Sequence, residues 1–333
     1  MSSTHPDTDT IRAALALAVR APSVHNTQPW QWRIGESTLH LYADDTRWLK
    51  HTDPDRRELV LSCGAALHHL RVAIGAVGWE TIVHRLPNRA DPRHLAAIEF
   101  RSGATDPTTV QLAQAIARRR SDRRHFTSWE VPAVHADKVI EAARVVGVEI
   151  RDVDALEARG TLAQAFEQAS ASHAQDPDYI AELHAWSGHH AAPSGVPARN
   201  AVVPTDPTVR PFSDPRLPEA VVRDTDEFSR MLLLSTGSDD PLAWLRAGES
   251  TSAALLTATV RGLATCALTE PLELPAIREQ IRTNILGGFG HPQVIIRMGW
   301  AATSADPVPA SPRLALDDVV HPLQPADSAD RSH

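Results

Sequence analysis

The chain has 333 residues, 42% hydrophobic and 22% charged, the proportions of an ordinary soluble globule. Its formal charge of −8 is opposite in sign to the basic footprint of a nucleic-acid-binding protein, and no apolar run approaches the roughly 18 residues of a membrane helix. Cys63 and Cys266 are the only cysteines, far apart and in apolar contexts, which excludes a disulfide framework and reads as small buried residues in a reducing, cytoplasmic compartment.

The N-terminal stretch carries acids, no basic start and an Ala-rich run, "TIRAALALAVR": a tail and an amphipathic helix, not a signal peptide. It leads into "RAPSVHNTQPWQWRI", Arg20 to Ile34, where short hydrogen-bonding side chains crowd against two tryptophans. A helix stop and turn accounts for Pro22 and Asn26, but not for the Gln-Pro-Trp-Gln-Trp that follows. Further on, "STLHLYA", "ETIVHRL", "HLAAIEF", "VEIRDV" and "QVIIRMGWA" read as strands, and "TTVQLAQAIARRRS", "HADKVIEAARVV" and "DALEARGTLAQAFEQAS" as helices. Between Pro193 and Pro218 seven prolines exclude helix and inner strand, which makes this segment a lid or a plain surface excursion.

Two stretches rhyme. "TLHLYADDTRWLKHTDPDRRELVLSCGAALHHLRVAIGAVGWET" and "RMLLLSTGSDDPLAWLRAGESTSAALLTATVRGLAT" each run from a short apolar strand through an Asp-rich loop into a long helix. Gly64 and Gly78 in the first are spaced as Gly248 and Gly262 are in the second. Both helices are apolar on most faces, so each must be buried on most sides. Two such helices are expected to pack on each other, like a two-fold dimer interface whose subunits have been fused.

Further islands carry chemistry. Five arginines lie within seven residues around Ser121 in "ARRRSDRRHF". That pattern suits a phosphate, because guanidinium forks match its oxygens; it also fits a solvated helix end. In "RGLATCALTEPLE" a small-residue turn leads from the second long helix to Glu270, either aiming backbone N–H groups at a bound ring or simply capping the helix. Arg313 follows Pro312 in "ASPRLALDDVV". The pairs His68–His69 and His189–His190 would point apart on a helix, and no His-Glu-x-x-His or Cys-x-x-Cys occurs, so no metal centre is expected. No Gly-x-Gly-x-x-Gly or Walker-type loop is present.

Taken together, the Pro-Ser-x-x-Asn-x-Gln-Pro-Trp segment, the Arg-Arg-Ser-x-Arg segment, the Gly-Leu-x-Thr-Cys turn and the late arginine resemble the nitroreductase superfamily of FMN-binding oxidoreductases, closest to its actinobacterial Acg-type branch. The resemblance covers nearly the whole chain. It implies an α+β, nitroreductase-like three-layer fold with a mostly antiparallel sheet and two fused halves forming an intrachain pseudo-dimer. Residues 1–110 would be a degenerate first half supplying the Pro-Ser-x-x-Asn segment, residues 111–320 a second half with a lid candidate at 186–222, and residues 321–333 a flexible tail.

The resemblance also implies one FMN per chain. Ser23, His25, Asn26, Gln28, Pro29, Trp30, Gln31 and Trp32 would hold it from the first half, and Arg120, Ser121, Arg123, Leu268, Thr269, Glu270 and Arg313 from the second. Trp30 and Trp32 would wall the site or anchor the strand. Arg123 and Arg124 compete for one role, and the role of His25 is open. A mirror-image site would need a second Arg-Ser-x-Arg, which "TDTIRAALALAVRAPS" lacks; "APSGVPARNAVVP" is the second half's candidate for the opening segment, without its Gln-Pro-Trp. No side chain need act as nucleophile or base. NAD(P)H would be the donor and a nitro group, quinone or similar small molecule the acceptor, in a cytoplasmic monomer without nucleic-acid or membrane partners. Were the proline-rich segment to close over the ring, the alternative is FMN storage or sequestration, under stress or dormancy, with little or no reductase activity.

Overall fold

In the computed structural model, which describes residues 5–144, 147–219 and 228–323, the chain lays down one run of elements twice. The first run is α1 (Thr8–Ala18), β1 (Trp30–Ile34), β2 (Thr38–Ala43), α2 (Arg57–Gly75), β3 (Trp79–Arg85) and β4 (His94–Ser102), followed by α3 (Pro107–Arg118). The second opens with α4 (Ala133–Arg144) and β5 (Glu149–Asp152). It then inserts α5 (Leu156–His173), α6 (Pro177–Ala185), β6 (Ser187–His189) and β7 (Val196–Pro197) before β8 (Arg230–Thr236). It closes with α7 (Pro241–Val260), β9 (Ala264–Leu268), α8 (Pro275–Asn284) and β10 (His291–Gly299); α9 (Leu316–Val319) and β11 (Val320–Pro322) follow.

The strand order β1-β2-β4-β3 of the first sheet is repeated as β5-β8-β10-β9 in the second, with antiparallel pairing throughout both sets. Where the first set turns through residues 35–37 between β1 and β2, the second carries everything from α5 to β7. Insertions at a hairpin tip leave the sheet behind them intact.

Layers follow from which faces are apolar. α1 and α2 cover one face of the first sheet through Leu15, Leu67 and Leu70 against Trp30, Trp32 and Leu41. α4 and α7 cover the facing side of the second sheet, and α5 and α8 its other side. At the centre α2 crosses α7, glycine against backbone. A Cβ on Gly64 would lie 2.1 Å from the Leu245 carbonyl oxygen, and one on Gly248 would lie 1.9 Å from that of Leu61. The two contacts are reciprocal, as a two-fold relation between the halves requires. The same relation pairs His68 with Ser252, 184 residues on, through a 2.8 Å hydrogen bond.

Two sequence expectations need correction. The helix expected to reach Ser121 stops at Arg118, because Arg119 turns extended (ψ 130°) and the chain then runs beside β9, with Asp122 N–H donating to the Thr265 carbonyl. His321 and Pro322, expected in a tail, belong to β11, which pairs in parallel with the open edge of β1 (Arg33 with His321, Ile34 with Pro322) and satisfies backbone groups there. Residues 324–333, and 220–222 of the lid candidate, lie outside the described residues. Among the described residues no helix is long and apolar enough to cross a membrane.

Candidate functional site

The chain between α1 and β1 is strained and tied down. His25, Asn26 and Gln28 all take positive φ (44°, 55° and 55°), which costs a non-glycine residue about 1 kcal/mol or more each. Hydrogen bonds hold them there. Gln28, fully buried, accepts from the Leu314 N–H at 2.9 Å and donates to the Pro193 carbonyl at 2.9 Å, and its own N–H donates to Ser23 Oγ. Asn26 donates to the carbonyls of Gly195 and Pro312 and accepts from Arg313 at 2.9 Å. Arg313 also donates to the carbonyls of Val19, Arg20 and Ala21, left open just past α1. Three distant segments are thereby fixed as one wall.

Behind that wall lies a cavity of about 50 Å³ lined by Arg20, Arg119, Arg120, Arg123 and Arg313, with Ser23, Asn26 and Ser121 between them. No carboxylate is among its described lining residues. Burial, then repulsion from Arg120, Arg20 and Arg123, pushes the Arg119 guanidinium down to about 10. Burial, then Arg119, Arg20 and Arg120, pushes Arg313 down to about 9. Arg119 keeps Nε and Nη1 without partners, and Arg20 its Nε. Unopposed buried positive charge with donors in reserve calls for a multivalent oxyanion. Of the two arginines competing for one role, Arg123 lines this cavity, while Arg124 is locked to Asp122 by two contacts of 2.8–2.9 Å.

Sharing Pro22, Ser23, Ser121 and Arg123 with it is a larger cavity of about 110 Å³. Its floor is the helix crossing, through Leu61, Ser62 and Ala65 of α2 and Thr251 of α7. Cys266 to Glu270 form one side, and Thr208, Arg210 and Phe212 of the proline-rich segment another. Arg210 is buried and fastened to Glu273, to Tyr179 Oη (2.9 Å) and to His25 Nε2 (2.8 Å). An arginine only donates, so Nε2 of His25 accepts and the proton of a neutral ring sits on Nδ1. Burial, then Arg210, Arg123 and His173, holds His25 well below its usual range and therefore neutral. Its Nδ1 has no partner, nor has Glu58 Oε2, and both residues line the cavity. Phe212 stands edge-on to the His25 ring at 5.4 Å.

The structure thus gathers Ser23, His25, Asn26, Arg120, Ser121, Arg123, Leu268, Thr269, Glu270 and Arg313 around two joined cavities. It does not bring Gln28, Pro29, Trp30, Gln31 or Trp32 to either. β1 begins at Trp30, so alternation sends Trp30 and Trp32, both fully buried, into the first core, where they anchor the strand. Gln31 takes the other face and pairs with Asp44 and His321. The Pro29 carbonyl accepts from the Asp44 N–H. "APSGVPARNAVVP" is no mirror counterpart of the opening segment: its Pro193 and Gly195 carbonyls bind Gln28 and Asn26, so it belongs to the same site. Sequence reasoning missed Arg20 and Arg119, which sit inside the two motifs it singled out. It also missed Glu58, Phe166, Arg210 and Phe212, which carry no local signal.

No protein-family model matches the sequence. A Mycobacterium tuberculosis H37Rv protein provisionally named NAD(P)H nitroreductase Rv3131 is 45% identical over 327 residues, covering 96% of this chain and 93% of its own. A second protein of that strain, provisionally named NAD(P)H nitroreductase acg, is 38% identical over 332 residues, covering 96% and 98%. Among solved structures, the FMN-dependent nitroreductase NfnB from Mycobacterium smegmatis in complex with NADPH aligns with a TM-score of 0.39 at 18% identity, covering 62% of this chain and 97% of that one.

Proposed function

The chain belongs to the nitroreductase superfamily, in its Acg-like branch, and on that footing we propose that it is an FMN-dependent oxidoreductase taking electrons from NAD(P)H. The observation that carries the reading is the carboxylate-free arginine cage beside a larger cavity with which it shares Pro22, Ser23, Ser121 and Arg123. The residues present fit FMN: a phosphate suits the cage, and a planar ring carrying both donors and acceptors suits the cavity. When bound, FMN supplies hydride acceptance at N5 and electron delivery to a nitro, quinone or similar small-molecule acceptor.

The chain's own share is binding and electrostatics. Arg20, Arg119, Arg120 and Arg123 would neutralise the phosphate, with Ser121 as a further donor, while Arg313 adds its charge but spends its hydrogen bonds on the wall. Neutral His25 offers its Nδ1–H, and Glu58 accepts, at the larger cavity. Arg123 and Arg210 line it together with Glu58 and Glu270, and Arg210 is paired with Glu273, so its acids and bases are balanced. No side chain is assigned as nucleophile or base. With the two central helices satisfied within one chain and both cysteines free and buried, the reading is of a cytoplasmic monomer with one FMN.

Flavin titration tests this. FMN should bind at one equivalent and more tightly than riboflavin, which lacks the phosphate. Arg119→Met should weaken FMN roughly 10- to 100-fold, the worth of charge-assisted hydrogen bonds of about 1.5–3 kcal/mol, and leave riboflavin nearly unchanged. Equal affinity for both flavins would sink the cage reading. A second reading, retention of FMN with little turnover, is favoured by the fastening of Arg210 and Phe212 across the cavity. Anaerobic addition of NADPH or NADH to the loaded protein separates the two. Rapid bleaching of the flavin absorbance supports the reductase; bleaching by dithionite alone supports retention.

A further inference from the structure

Two-fold relations between halves create two equivalent cavities unless something fills one. The 184-residue offset that relates Gly64 to Gly248 and His68 to Ser252 holds through the glycine ending each central helix, Gly78 (φ 84°) and Gly262 (φ 78°), and into the strand after it. It therefore identifies the partner of every cavity residue on α2 and β9. Ala65, on the cavity floor, corresponds to Glu249; Thr269, on its side, corresponds to Arg85. Glu249 is fully buried and clasped by Arg85 through two contacts of 2.6 and 2.8 Å, and by Arg71 at 2.8 Å. Arg71 in turn corresponds to Leu255, a core residue. Ala65 and Thr269, which leave room on one side of the axis, are replaced on the other by a long acid and a long base that meet, and Arg71 joins them on the same carboxylate.

We propose that the Glu249–Arg85–Arg71 cluster is a plug occupying the mirror-image ring site, and that it limits the chain to one ligand. The inference rests on the reading of the larger cavity as a flavin site. Sequence motifs alone argued only that the second site lacks its phosphate-binding parts; the plug closes the ring pocket itself. The ligand class that a reopened pocket would take is a planar tricyclic ring without a phosphate, since among the residues related to this cluster none forms an arginine cage. Geometry favours a paired plug over a single large residue. The pair brings no net unpaired charge into the interior beyond what half-exposed Arg71 can carry to solvent.

The test uses FMN-saturated protein titrated with lumiflavin, the ring without the ribityl phosphate, followed by fluorescence and calorimetry. The wild type should take one FMN and no lumiflavin. Glu249→Ala/Arg85→Thr, which installs the partner residues, should take one FMN and one lumiflavin. Glu249→Gln/Arg85→Met, which keeps most of the volume and removes the charge of that pair, should take none. A double variant that melts cooperatively and still excludes lumiflavin overturns the plug. Should it not fold, Glu249→Ala/Arg85→Thr/Arg71→Leu, which leaves no guanidinium behind, gives the reading in its place. A wild type that binds no FMN at all would instead overturn the flavin reading, so the two failures are distinct.

Discussion

Gly248→Ala tests the central contact. The added Cβ would sit 1.9 Å from the Leu61 carbonyl oxygen, 2.8 Å from its carbon and 2.9 Å from the Ala65 nitrogen, all backbone atoms of a helix. No rotamer change relieves such a clash, so the helices must part by roughly 1.5 Å, and a gap of half to one ångström already forfeits a quarter to a half of a packing contact. Overpacking costs about 1–3 kcal/mol where neighbours give. With backbone on both sides the upper end applies, about 3 kcal/mol, offset by about 1 kcal/mol of helix propensity gained on leaving glycine. The net loss is about 2 kcal/mol or more. Urea unfolding should show it as a lower midpoint at unchanged slope. Gly160→Ala is the control: it lies inside α5 with nothing within 4 Å of the added Cβ, and should gain about 1 kcal/mol. If Gly248→Ala is as stable as Gly160→Ala, the close crossing is wrong, and with it the reciprocal contact on which the pairing of the halves rests.

Gln28→Ala should destabilise the fold by about 2 kcal/mol, because it strands the buried Leu314 N–H and Pro193 carbonyl. It should also weaken FMN binding although Gln28 touches neither cavity; unchanged affinity would separate the wall from the site. Acid should destabilise the protein through its buried histidines. Burial first, then neighbouring positive charge, holds His25 and His69 well below the usual range and His68 down to about 4. The unfolded chain takes up these protons near pH 6.5 and the folded one does not, so stability present above pH 6.5 is lost as pH falls toward the folded values. Each costs about 2 kcal/mol between pH 7 and pH 5. His69→Gln should remove one such share from the pH dependence of the urea midpoint, and a slope identical to the wild type would refute the assignment.

How much of this was legible depends on range. The repeat was, because a glycine at a helix crossing and a glycine after the helix leave a fixed spacing in the text, and Gly64–Gly78 matches Gly248–Gly262. The arginine-lined cavity was partly legible: the arginine run announced it, but which guanidinium turns inward depends on where α3 stops, and Arg119 turns just past that point. Gln28 to Trp32 misled for a local reason. A loop that binds a ligand and a loop that ends in a buried strand use the same polar-then-aromatic wording until the alternation of β1 is known. The plug was illegible, since Arg85 and Glu249 meet only because the halves do, and nothing local marks either as a partner of the other.

The attachment of β11 to β1 has a temporal consequence. Residues 312–314 and 320–322 supply the carbonyl, the N–H, the arginine and the edge strand that lock the segment from Arg20 to Ile34. On the ribosome the first half therefore waits until residues 312–322 have been made before its edge strand and the wall around Gln28 are complete. Contacts of such long sequence separation form late. Until then the strained loop at His25–Gln28 has only its ties to Ser23, Pro193 and Gly195, and the wall is finished when Pro312, Arg313 and Leu314 arrive.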